Sequence, residues 1–282
     1  MRRLILLIFS LFFFTFASAE RPVKDVKNNF RNFGSRTTKI VLSDDGIIDA
    51  YIRDAAIKEW KISPYEFCTP QEYEVIKEDT SFFFLLRTDG IFSKEYEPSI
   101  EFLSLIKGGP KFKRGLFMSA ELISLPFQAK DDDSGEIIPF IPAYLQIIQD
   151  YIMTVQKNIL ASISGNVVLG DLAGINGKTL LFKEEDIAFP AEKDEIKWIF
   201  RGRAEVVSQD VIESAISEIS QDVAIGLVIS PLRAHKGGYY YKLVIDPAEG
   251  KLYYFKKNRI NEKLPVGFSR NDINKLSAPY KR

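Results

Sequence analysis

The sequence predicts an α/β (α+β) fold: mixed, antiparallel-rich sheets covered by helices, in two similar halves. Three observations predict it. Short apolar runs bounded by turn residues alternate with segments whose apolar residues recur at helical spacing. The chain is 46% hydrophobic and 13% aromatic, enough for a substantial core. The order strand, capped helix, buried strand, hairpin, helix occurs twice.

The amino terminus precedes the first half and reads as a cleavable signal peptide, residues 1–19. Arg2 and Arg3 are followed by the apolar run Leu4 to Phe16, broken only by Ser10 and Thr15, and then by Ala17-Ser18-Ala19, a small-x-small cleavage signal. The run falls short of the roughly 20 apolar residues a spanning helix needs. The expected destination is therefore export, to the periplasm or outside the cell, with no transmembrane segment after cleavage. A polar leader, 20–37, follows.

The first half is expected over 38–130. Lys39 to Leu42 reads as a strand, and Ile47, Ile48, Tyr51, Ile52, Ala55 and Ala56 make a helical stripe up to Trp60. Ser63-Pro64 breaks that helix and Tyr65-Glu66-Phe67 is extended. Thr69-Pro70-Gln71-Glu72 carries a cap, a first-turn proline and a capping-box acid. Phe82 to Leu86 is continuous and apolar, the mark of a strand buried on both faces. Ile100 to Ile106 and Leu116 to Phe127 form a hairpin. The linker Lys130 to Glu136 and a long helix from Ile141 to Leu160 occupy 131–160.

The second half is expected over 161–282. Thr179 to Phe182 reads as a strand, Glu195 to Val207 as another, and Ser208 caps a helix carrying Val211, Ile212, Ala215, Ile216 and Ile219. Ala224 to Ile229 is a buried strand. Tyr239 to Ile245 and Lys251 to Phe255 form a hairpin, followed by a short helix near Asn271 to Leu276. Laying the halves over each other matches Trp60 to Trp198 and predicts both buried at equivalent places. The opening strand and helix of the first half find no clean counterpart in the second.

The strand-helix-strand-helix-strand order of the first half, carried by Lys39 to Leu42, Ile47 to Trp60, Tyr65 to Phe67, Thr69 to Glu72 and Phe82 to Leu86, resembles the amino-terminal module of TolB-type and curli-secretion-type envelope proteins. The resemblance covers less than half the chain. It implies a binding or assembly part of the bacterial envelope. The absence of Asn-x-Ser/Thr sequons fits a bacterial source.

Composition and motifs then exclude several chemistries. The 38 basic and 38 acidic side chains balance, which argues against nucleic acid as a partner. Cys68 is the single cysteine, so no internal disulfide forms, and its setting reads as a core thiol. Gly174-Ile175-Asn176-Gly177-Lys178-Thr179 ends like a phosphate-binding loop, but Leu172 stands where that loop needs glycine and a strand follows where it needs a helix. Asp131, Asp132, Asp133 and Glu136 lack calcium-loop spacing. His235 has neither a second histidine for zinc nor a Gly-x-Ser-x-Gly nucleophile in the chain. No catalytic residue, metal or cofactor is therefore assigned.

The positive feature is the tyrosine-rich hairpin, where alternate residues share a face. Either a helix covers that face, or it is exposed and Tyr240 and Tyr254 are the binding residues, contacting a protein or surface polymer of the envelope. The function expected is a non-catalytic, exported binding or assembly protein. The alternative is a secreted hydrolase acting on glycans through paired carboxylates, whose spacing only the fold can set.

Overall fold

The computed structural model describes residues 30, 32–42, 46–90, 92, 97–110, 121–157, 170–190, 193–261 and 265–281. The signal peptide, the leader up to residue 29, the turn at 43–45, residues 116–120 of the first hairpin and 158–160 of the long helix lie outside them. Among the described residues are ten strands and six α-helices. In the first half they run β1 (Thr38–Val41), α1 (Ile47–Glu59), β2 (Tyr65–Cys68), α2 (Pro70–Ile76), β3 (Phe83–Gly90), β4 (Ile100–Lys107), β5 (Glu121–Ala129) and α3 (Ile141–Lys157). The second half runs β6 (Thr179–Lys183), α4 (Lys193–Ile199), β7 (Ala204–Val207), α5 (Gln209–Ser217), β8 (Val223–Ile229), β9 (Tyr239–Asp246), β10 (Lys251–Arg259) and α6 (Arg270–Ser277).

The strands form two five-stranded sheets, β2-β1-β3-β4-β5 and β7-β6-β8-β9-β10. Their pairing senses are identical. β1 lies parallel to β2 and β3, as β6 does to β7 and β8, and an antiparallel hairpin follows each time. The missing counterpart of β1 and α1 is thus β6 and α4. The expectation of a strand from Glu195 is corrected: Ile196 and Phe200, four apart and both fully buried, make the inner stripe of a helix and its terminal turn. Arg201, at φ 54, and Gly202, at φ 86, turn the chain out of that helix into β7.

Burial shows that corresponding helices lie on corresponding faces. A parallel crossover is right-handed, so steps in opposite directions across a sheet place their helices on opposite faces. Accordingly α1 and α3 cover one face of the first sheet with Phe83 and Leu85, while Tyr73 of α2 packs with Phe84 and Leu86 on the other. In the second sheet Ile196 of α4 and Ile273 and Leu276 of α6 pack with Ala224, whereas Ile212 of α5 packs with Ile225 and Leu227. One core joins the helix-covered face of the first half to the α5 side of the second.

Local capping follows the sequence at two helices. Thr69 and Glu72 close a capping box on α2, and Ser269 and Asp272 close one on α6. Ser208 occupies the cap position of α5 without a capping bond from its side chain. The linker is tied down at both ends: Gln128 donates to the Asp132 carbonyl at 3.4 Å, and Glu136 pairs with Lys183 at 2.5 Å.

Candidate functional site

Tyr240 and Tyr254 are brought together, yet into the interior. They are 6% and 4% exposed, and the expectation of an exposed tyrosine face is corrected. The reason is α6, which lies over this face and brings in Asp272. That carboxylate, 1% exposed, accepts from Tyr254 Oη at 2.7 Å and pairs with Lys242 at 2.5 Å and Lys256 at 2.6 Å. Burial alone would raise its pKa, but these partners and Ser269 hold it well below the usual carboxylate range. Lys242 is also 1% exposed, with its Nζ 5.3 Å from the Tyr240 ring centre. Burial pulls its ammonium below the usual lysine range despite Asp272. The cluster fastens α6 to the hairpin.

Lys178, from the phosphate-loop-like segment, is engaged in the same way. It pairs with the fully buried Asp246 at 2.7 Å and with Glu249 at 2.8 Å, where a turn leads into β6. Burial would lower its ammonium, and the two carboxylates raise it instead. His235 is exposed on its loop, and burial pushes the Cys68 thiol up to about 11, as suits a core thiol. No group of three or more His, Cys, Asp or Glu among the described residues could hold a metal.

In sheets of this strand order, ligands favour the crevice outside the carboxyl ends of the parallel strands. A crevice of about 290 Å³ lies there, at the ends of β6 and β8, lined by Gln128, Glu136, Lys183, Leu227, Ile229 and Pro231 among others. Beside it Asp186, 6% exposed, accepts from the Val228 N–H, and its Oδ2 has no hydrogen-bond partner. Burial pushes this carboxyl up to about 7 against the pull of Lys183, with Glu185 and Glu136 adding to the rise. The corresponding end of the first sheet is a closed ion network. Arg87 spans Asp49 at 3.2 Å and Glu101 at 3.3 Å, and Lys130 spans Asp89 and Glu101.

The opposite edge of the second sheet carries the feature that sequence reasoning placed incorrectly. Trp198 is 82% exposed, whereas Trp60 at the corresponding helix end is 4% exposed. Helical geometry gives the reason: Ile196 and Phe200 take the inward side of α4, and position 198 falls about 200° around the axis from Ile196. Phe200 assumes the buried role and packs edge-on to Tyr280. Lys197, Arg201 and Arg203 lie at this corner, and Ile219, 62% exposed, follows the end of α5 at the same edge. The four-residue spacing of Ile196 and Phe200 was the signal in the sequence. No family model, curated protein or solved structure matches the chain.

Proposed function

We propose that the chain is an exported, non-catalytic binding or assembly protein of the bacterial cell envelope, arisen by internal duplication, that meets its partner at the amino-terminal edge of its second half. The observation that carries this reading is the 82% exposure of Trp198 on the outer side of α4, two residues before Phe200, which holds the buried place that Trp60 holds in the first half. A tryptophan left in solvent forgoes burial of a large ring, and exposed tryptophans beside arginine are characteristic anchors of interfaces. The signal-like residues Met1 to Ala19 support an envelope or extracellular setting.

A photo-crosslinking residue at position 198 of the chain, expressed in bacterial cells, tests the reading. Capture of a defined envelope component at 198, and not at the exposed control position Val75, is the expected result. A second reading, glycan hydrolysis by paired carboxylates, draws on Glu136 and Asp186 gathered around Lys183 beside the crevice. Turnover of a glycan panel that is lost in Glu136→Gln and Asp186→Asn, with no capture at 198, would replace the first reading by the second.

A further inference from the structure

We propose that the amino-terminal edge of the second sheet rests on an anionic lipid surface, with Trp198 as its interfacial anchor. This deepens the envelope-binding reading and depends on it. The edge is defined by backbone bonds: Leu180 N–H donates to the Arg203 carbonyl at 3.0 Å and Thr179 N–H to that of Asp222 at 2.6 Å. The starts of β6, β7 and β8 therefore lie side by side, with the end of α4 on one side and the end of α5 on the other.

Charge around the tryptophan favours an anionic partner. Arg201 donates to the Lys281 carbonyl at 3.2 Å, bringing the carboxyl-terminal turn and its exposed lysine to this corner. Arg203 donates to the Gly177 carbonyl at 2.6 Å. Both arginines are thus oriented by neutral acceptors, which leave their charge uncompensated in these contacts. Lys197 reaches Glu205 at 3.5 Å, and that pair is half exposed. Asp194 lies one turn back on α4. Lys197, Arg201, Arg203, Lys281 and Arg270, which pairs with Glu195, thus outnumber Asp194, Glu195 and Glu205 at the α4 end of this edge. Glu218 and Asp222 lie on the α5 side of the edge, so the excess of cations is on its α4 side.

Tryptophan and cations together suit a membrane interface better than a dry protein contact. The indole sits at headgroup depth with its N–H in the wet layer, and lysine and arginine stems extend their charges to lipid phosphates. No helix among the described residues is long and apolar enough to cross a membrane, so the contact proposed is peripheral.

The two tryptophans supply the test. In the mature chain carrying Trp60→Phe, the emission of Trp198 should shift to the blue with vesicles of phosphatidylglycerol and phosphatidylethanolamine, and not with phosphatidylcholine alone. The chain should sediment with the anionic vesicles, less so as salt rises. Arg201→Ala and Arg203→Ala should each weaken partitioning about fivefold at low salt, and Trp198→Ala should lower it further. The difference spectrum between wild type and Trp198→Phe gives the same readout should Trp60→Phe fail to fold. No shift and no sedimentation, or binding indifferent to these substitutions, would overturn the proposal. If vesicles fail while a crosslinker at 198 still captures a protein, the lipid surface falls and the envelope-binding reading stands. If both fail, both fall.

Discussion

The two halves share strand order, pairing sense and the faces on which their helices pack, yet they end their first crossover helices differently. In the first half α1 has 13 residues and α3 has 17, and Gln149 of α3 reaches across to Lys61 N and the Glu59 carbonyl at the end of α1. In the second half α4 has seven residues and α6 eight, about 12 Å of helix against about 25 Å for α3. The longer pair encloses the end of α1 and buries Trp60. In the second half Phe200, fully buried, holds the place of Trp60 after the helix, and Trp198 lies two residues earlier on the outer side of α4. Topology follows from the order of strands and crossovers, and the exposure of each tryptophan follows from its place around its helix.

The ion clusters differ in the same instructive way. The first half gathers its charges at the carboxyl ends of its strands, in the closed Arg87 and Lys130 network. The second ties a buried lysine to a buried aspartate beneath α6. Removing Asp272 should therefore produce the largest effect, because Lys242 would be left charged and alone in the interior. Asp272→Ala is expected to cost about 3–5 kcal/mol in denaturant unfolding, with much of the loss recovered in the double variant Lys242→Met, Asp272→Ala. An undiminished midpoint would show that α6 is held by its apolar contacts alone.

Trp60→Ala comes next and tests whether the end of α1 is core. Deletion of its ring should cost about 3–5 kcal/mol, with one unfolding transition if the core that joins the halves makes them cooperative. Two resolved transitions would break the picture of a shared core.

Asp186→Asn should stabilise, by an amount that grows with pH. Burial lifts the folded carboxyl to about 7, while the unfolded one keeps the ordinary aspartate value of about 3.9, so the native state holds this proton more tightly. Wild-type stability from this group is full below the unfolded value and is lost as pH rises through the folded one. The asparagine escapes that loss while its carbonyl still accepts from Val228. Its gain should be near zero at about pH 4 and on the order of 2–4 kcal/mol at about pH 8. Melting curves across that range check it, and a gain independent of pH would contradict the assignment. The smallest effect is expected at Trp198→Ala, within about 0.5 kcal/mol of wild type, since the ring is mostly in water.

The first half was largely legible. The capping box at Thr69 and Glu72, the proline after Ser63 and the run Phe82 to Leu86 each named an element that the structure contains. The second half was harder at one point. Ile196, Trp198, Ile199 and Phe200 suit a strand as well as a helix when read as a short apolar run, and only Arg201-Gly202 marks the helix end. Misreading α4 concealed the counterpart of α1 and put Trp198 in the core. The shared face of Tyr240 and Tyr254 was also legible from strand alternation. Its burial was one of two readings of the hairpin, and the short helix expected near Asn271 to Leu276, which carries Asp272, is the element that decides it.

The central claim is that corresponding helix ends carry one buried and one exposed tryptophan, and quenching of the two indoles tests it most directly. With Trp198→Phe the remaining Trp60 should emit in the blue and resist acrylamide, and with Trp60→Phe the remaining Trp198 should emit in the red and be quenched readily. Equal emission and equal quenching of the two single-tryptophan proteins would contradict the account.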